Sequence, residues 1–144
     1  MIPKFTVLGL LPEGIHWADL NEIYMRYGFN EHRKRLISGF ERALVVFRDA
    51  GCALLYLDGS FVTAKEYPRD YDACWEAKGV VLSKLDPVLL EFKNMRAAQK
   101  AKYFGEFFPA HMKAEGKSPF RIFLDFFQSD RETGDKKGII GIKI

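Results

Sequence analysis

The chain has 144 residues, 48% hydrophobic and 28% charged, which fits one globular domain with a substantial core. A net charge of +3, with a pI near 8.8, tolerates an anionic ligand but falls short of a dedicated nucleic-acid binder. No apolar run nears the roughly 20 residues that span a bilayer, and Cys52 and Cys74 form neither a CxxC nor a ligand array, which excludes a membrane-spanning helix and a disulfide scaffold.

From the N-terminus, MIPKFTVLGLLPEG carries one lysine and a short apolar segment broken by Pro12, without a small-residue cleavage site, and so makes a poor signal peptide. Both cysteines lie in apolar stretches and read as reduced core residues of a cytoplasmic protein. Phe5–Leu10 is expected to form an edge strand or an extended arm. Trp17–Tyr27 places Leu20, Ile23, Tyr24 and Tyr27 at helical spacing and stops at Gly28. Asn30 then caps a helix over Glu31–Ala50, in which Leu36, Phe40, Leu44 and Phe47 form one apolar stripe.

Ala53–Leu57 reads as a buried strand running into a Gly59-Ser60 turn, and Asp70–Trp75 as a second strand entered through Pro68. Leu85–Phe92 fits either a short helix capped by Ser83 or an extended run. Met95–Phe107 has helical character, Phe108–Ser118 reads as a loop, and Phe120–Phe127 and Gly138–Ile144 read as strands of a hairpin. Thirteen Phe, six Tyr and two Trp make ring packing the expected basis of the core. No repeat or linker divides the chain, so residues 1–144 form a single α+β domain.

The chemistry concentrates between residues 55 and 75, LYLDGSFVTAKEYPRDYDACW. Asp70 and Asp72 lie two apart, so on a strand both project from one face. Two such carboxylates repel, and a hard cation such as Mg²⁺ or Mn²⁺ relieves them. The pair also fits a solvated strand end matched to Arg69 or Lys65. Upstream, Gly59 permits a sharp turn and close backbone approach, while successive N–H groups and the Ser60 hydroxyl suit phosphate oxygens. A phosphate cradle beside a metal-binding carboxylate pair points to a metal-bound nucleoside triphosphate.

An apolar strand, Gly59-Ser60, nine intervening residues and Asp70-Tyr71-Asp72 resembles the signature of the DNA polymerase β-like nucleotidyltransferase superfamily. The likeness is nearest to minimal nucleotidyltransferases and abortive-infection toxins and antitoxins, and covers about residues 35–75. It implies a small palm with a mixed sheet and helices packed on one side. It also implies transfer of a nucleotidyl group to a hydroxyl of RNA, such as a tRNA 3′ end, or of a partner protein in a toxin–antitoxin or phage-defence system. Asp70 and Asp72 would be catalytic metal ligands for Mg²⁺ or Mn²⁺, and Gly59 and Ser60 would hold the nucleotide.

Members of that superfamily use a third carboxylate on a neighbouring strand, and Asp125, central in PFRIFLDFFQ, is the candidate for that catalytic and metal-binding place; a salt bridge to Arg121 is the plainer reading. Glu91 and Asp86 are weaker rivals. Where many relatives carry an arginine after Gly-Ser, this chain has Lys65, a candidate phosphate contact or a solvated lysine. Arg96 and Lys100, one helical turn apart with Lys102 near them, are further candidates for the triphosphate. The retained motif also suits an inactive binding module or antitoxin, and the Arg96–Lys102 face a small nucleic-acid-binding domain. His16, His32 and His111 are scattered, and no P-loop or GxGxxG pattern is present.

Overall fold

The protein is described by a computed structural model that covers residues 1–114, 121–131 and 133–144. Nine helices and strands can be followed in it: β1 Ile15–Trp17, α1 Leu20–Tyr27, α2 Glu31–Asp49, β2 Leu54–Asp58, β3 Tyr71–Trp75, α3 Lys93–Tyr103, β4 Gly105–Pro109, α4 Phe123–Phe126 and β5 Ile139–Lys143. The sheet order is β1-β5-β2-β3-β4. β2 pairs antiparallel with β3 and β5, whereas β1–β5 and β3–β4 are parallel. This is a mixed five-stranded sheet in an α+β fold.

The two sheet faces differ because side chains alternate along each strand. Leu55, Leu57, Tyr71, Ala73, Trp75, Phe107, Ile140 and Ile142 form a single core with Ile23 and Tyr27 of α1 and Leu36, Phe40, Ala43 and Phe47 of α2. Rings dominate it, as in the contacts Phe47–Trp75 at 5.5 Å and Phe40–Tyr71 at 5.4 Å. The opposite face carries Tyr56, Asp58, Asp72, Cys74, Glu106 and Phe108. At its apolar end Tyr56 and Cys74 cluster with Ala110 and Ile139, and Phe123, Leu124 and Phe127 pack against them. The long helices therefore back one face, and the one-turn α4 covers part of the other.

α2 begins where its sequence signals it: the Asn30 side chain accepts from the Arg33 N–H. Several expected elements take another form. Phe5–Leu10 contains a turn rather than a strand, closed by Thr6 N–H to Leu10 O at 2.8 Å. Trp17 belongs to β1, and the following helix starts at Leu20, capped by Asp19. Within Leu85–Phe92, Pro87–Leu90 is a 3₁₀ turn capped by Asp86, not by Ser83. The helix expected over Met95–Phe107 ends at Tyr103, where a left-handed Phe104 reverses the chain into β4.

The strand expected over Phe120–Phe127 is instead the short helix α4, because Phe123 and Phe127 sit one helical turn apart and stack together on Phe108. The C-terminal strand β5 pairs with β1 and β2 rather than with this segment, although a single antiparallel bridge, Ser129 with Lys136, closes the turn between them. Phe120 and residues 115–118 of the expected loop lie outside the described residues; Phe108 and Pro109 belong to β4.

Candidate metal centre and phosphate site

The register of the three strands β2, β3 and β4 builds the site. Asp58 of β2 lies opposite Asp72 of β3, and Asp72 opposite Glu106 of β4, so a row of carboxyl groups crosses the sheet. Asp70 enters from just before β3. Ligand-capable oxygens of Asp70, Asp72 and Glu106 all lie within 4.8 Å of one another. Asp70 and Asp72 are thus brought together, but the third carboxylate is Glu106 rather than Asp125. Asp125 sits exposed in α4, turned out of the expected strand, and does not line the cavity. Asp86 is likewise engaged elsewhere, accepting from the Lys102 ammonium and the Tyr103 hydroxyl.

Crowding decides the charge state of the row. Burial pushes the Asp72 carboxyl well above the usual range, aided by its hydrogen bond to Glu106 and by the charges of Asp58 and Asp70. Burial and Glu106 also raise Asp70, against Lys100, Arg69 and Arg96. For Glu106, burial acts upward but is outweighed by the hydrogen bond with Asp72 and by the cations Arg96 and Lys100, so it is held below the ordinary value. Arg96 Nε lies 2.8 Å and Lys100 Nζ 3.2 Å from Glu106 Oε1. Within the pair, Asp72 thus holds a proton more readily than Glu106, which the flanking cations favour as a carboxylate.

Gly59 backs directly onto this row. Its φ is +79°, and a Cβ there would stand 2.3 Å from Asp72 Oδ2. A side chain would meet both backbone strain and the carboxylate, so glycine is demanded twice over. Residues Gly59–Val62 form a 3₁₀ turn, and Gly59, Ser60, Thr63 and Lys65 line a cavity of about 710 Å³ together with Asp70, Asp72, Arg96 and Glu106. Phe108, Phe123, Phe126 and Phe127 make its apolar wall. Lys65 reaches the cavity as an exposed residue. Lys100 does not line it but acts on Glu106.

The loop after Ser60 is held by a residue that carried no signal in the sequence. Arg33 of α2 is fully buried. Its Nε donates to Lys65 O at 3.1 Å, Nη1 to Phe61 O at 2.8 Å, and Nη2 to Thr63 O at 3.0 Å and also to Lys65 O. The Phe29 and Phe61 rings flank the guanidinium at 4.5 and 4.9 Å. Burial lowers its pKa to about 10, still charged at neutral pH. Four planar donors directed at carbonyls from alternate loop residues fix the path of 61–65.

Two further residues escaped the sequence reading. Glu106 lay hidden inside the expected helix; Gly105 and Pro109 flanking GEFFP were the available strand signal. Asp58 ends β2 fully buried, its Oδ2 accepting from the Cys74 thiol at 3.6 Å and its Oδ1 without a donor among the described residues. The basic set of α3 is not a free cationic stripe, since Arg96, Lys100 and Lys102 each pair with a carboxylate. No helix is long and apolar enough to cross a membrane among the described residues.

Residues 3–143 match a family described as a family of unknown function (DUF6932), and the chain belongs to it. No curated protein and no solved structure matches the chain.

Proposed function

We propose that the protein is a metal-dependent nucleotidyltransferase with a DNA polymerase β-like palm, moving an NMP group from a nucleoside triphosphate to a hydroxyl, which loses its proton, with release of pyrophosphate. The carrying observation is the convergence of Asp70, Asp72 and Glu106 within 4.8 Å beside the Gly59-Ser60 turn. The donor set fits Mg²⁺ or Mn²⁺: all are hard carboxylate oxygens, and burial and mutual crowding push the Asp70 and Asp72 carboxyls up, a strain that a cation would offset. When bound, the divalent ion supplies charge neutralisation for the triphosphate and lowers the pKa of the acceptor hydroxyl.

The chain's own residues do the rest. Gly59 leaves room for the Asp72 carboxylate against the backbone, and Ser60 beside it offers a hydroxyl donor to phosphate oxygens. Arg33 holds the 61–65 loop, so Thr63 and Lys65 face the cavity in one arrangement. Arg96 and Lys100 keep Glu106 ionised and therefore able to ligate. Catalysis rests on this positioning and on charge stabilisation. Following the resemblance in the sequence, the acceptor is an RNA such as a tRNA 3′ end, or a partner protein's hydroxyl, in a cytoplasmic toxin–antitoxin or phage-defence setting.

Transfer of label from an α-labelled triphosphate to RNA or protein acceptors tests this. Glu106→Gln lowers the rate at least about 10²-fold, whereas Asp125→Asn leaves it near wild type. Absence of transfer by the wild type with both acceptor classes supplied contradicts the enzyme reading. One observation favours a second reading, an inactive binding module or antitoxin of the same fold: Glu106 is already ion-paired to two cations. That reading predicts metal and nucleotide binding without transfer.

A further inference from the structure

Lys137 is a lysine that the site described so far does not use. It is only 8% exposed, yet its side chain lines the same cavity as Gly59, Ser60 and Asp72. Lysines are almost never buried to this degree without a counter-charge. Among the described residues it forms no ion pair of the kind that ties Arg96 and Lys100 to Glu106. The carboxyl that feels its charge is Asp58, itself fully buried with one oxygen lacking a donor among the described residues.

The backbone that carries Lys137 is held in place. Its N–H donates to Gln128 O at 2.9 Å, and the next N–H, of Gly138, donates to Leu11 O at 3.0 Å. A Cβ on Gly138 would stand 2.0 Å from Pro12 O, so this stretch is pressed against the 11–12 segment with no room for a side chain. The ammonium is thus delivered to the cavity from a fixed point, with only its own flexible stem free to adjust.

We propose that Lys137 is an anion-binding residue of the cavity, gripping the polyphosphate of a ligand whose cation is held by Asp70, Asp72 and Glu106. The inference rests on the metal–triphosphate reading of that site and names a group outside its motif. In the ligand-free protein the ammonium acts on Asp58, which is not one of the three carboxylates that would hold the cation. A divalent ion on Asp70, Asp72 and Glu106 would bring phosphate oxygens into the cavity that Lys137 lines, where the ammonium meets them as a second positive partner. A charge-assisted N–H···O contact is the strong kind of hydrogen bond, and a lysine makes it as a point charge without needing a fixed plane.

Inorganic tripolyphosphate is the probe, titrated calorimetrically into Mn²⁺-loaded protein, with Mn²⁺ binding itself followed by electron paramagnetic resonance. Lys137→Met should retain Mn²⁺ binding at wild-type strength or better, since a cation leaves the neighbourhood of the carboxylates. Its tripolyphosphate affinity should fall at least about tenfold, and Lys137→Arg should recover most of it. Melting curves of both variants separate a folding defect from a binding one, and the arginine variant keeps the test decisive if the methionine variant unfolds. Equal tripolyphosphate affinity in wild type and Lys137→Met, or Mn²⁺ binding by the wild type without tripolyphosphate binding, overturns the inference and leaves the carboxylate site standing. A wild type that binds no Mn²⁺ brings down the carboxylate site and, with it, this role for Lys137.

Discussion

Asp58 occupies the end of β2 with its carboxyl fully enclosed, one oxygen accepting from Cys74 and the other without a donor among the described residues. Burial raises its pKa well above the ordinary value, against the opposing charge of Lys137. A carboxyl raised in the folded state contributes stability that is complete below the unfolded value, about 3.9, and lost as pH rises through the folded value. Metal-free Asp58→Asn, which cannot ionise there, is therefore expected to lose less stability than the wild type as pH rises from about 4 to 8. Below about pH 4 the two profiles should run parallel. Melting curves across that range check it; a variant whose stability falls as steeply as the wild type's contradicts the assignment. Such a residue, kept at a cost beside a candidate site, is the local pattern expected where function opposes stability. At this scale Gly59, Ser60, Asp70 and Asp72 were legible because their meaning is local: a turn and a two-residue spacing. Arg33 and Lys137 were not, since a lone basic residue acquires its role only from carbonyls and carboxyls brought to it by distant chain.

Among the elements, α3 carries the clearest strain. Asn94, Met95 and Arg96 have φ of 53°, 55° and 59°, three successive left-handed residues without a glycine, ahead of the regular helical turns. Each costs roughly 1–2 kcal/mol for an L side chain. The turn leads Arg96 onto Glu106. Met95 is exposed and makes no such contact, so Met95→Gly should relieve its share of strain. After the extra chain entropy glycine loses, the net gain is about 0.5–1 kcal/mol. Thermal unfolding measures it, and a lower melting temperature would show that the left-handed path is not what the side chain resists. Element legibility followed length. The long stripe of α2 and its Asn30 cap could be read directly, whereas the five residues of β4 vanished into the helix before them. In FRIFLDFF, Phe123 and Phe127 satisfy helical as well as alternating spacing, and stacking on Phe108 decided for the helix.

For the whole molecule, the α+β class was legible, but the path of the chain through the sheet was not. β5 lies between β1 and β2, pairing parallel with one and antiparallel with the other, and such non-local pairing leaves no mark in either strand's own pattern. The same holds for the site. Half of it belongs to the β2–β3 segment and can be read as a motif; Glu106 joins only through the parallel register of β3 and β4. That is why the sequence pointed to Asp125, an acid in an apolar run, and the fold selected Glu106. Mn²⁺ titration of the wild type and of Asp72→Asn, Glu106→Gln and Asp125→Asn, followed by electron paramagnetic resonance, tests the central claim most directly. The account predicts binding by the wild type and by Asp125→Asn at equal strength, with affinity reduced at least about tenfold in Asp72→Asn and Glu106→Gln. Undiminished binding by Glu106→Gln, or no binding by the wild type, would contradict it.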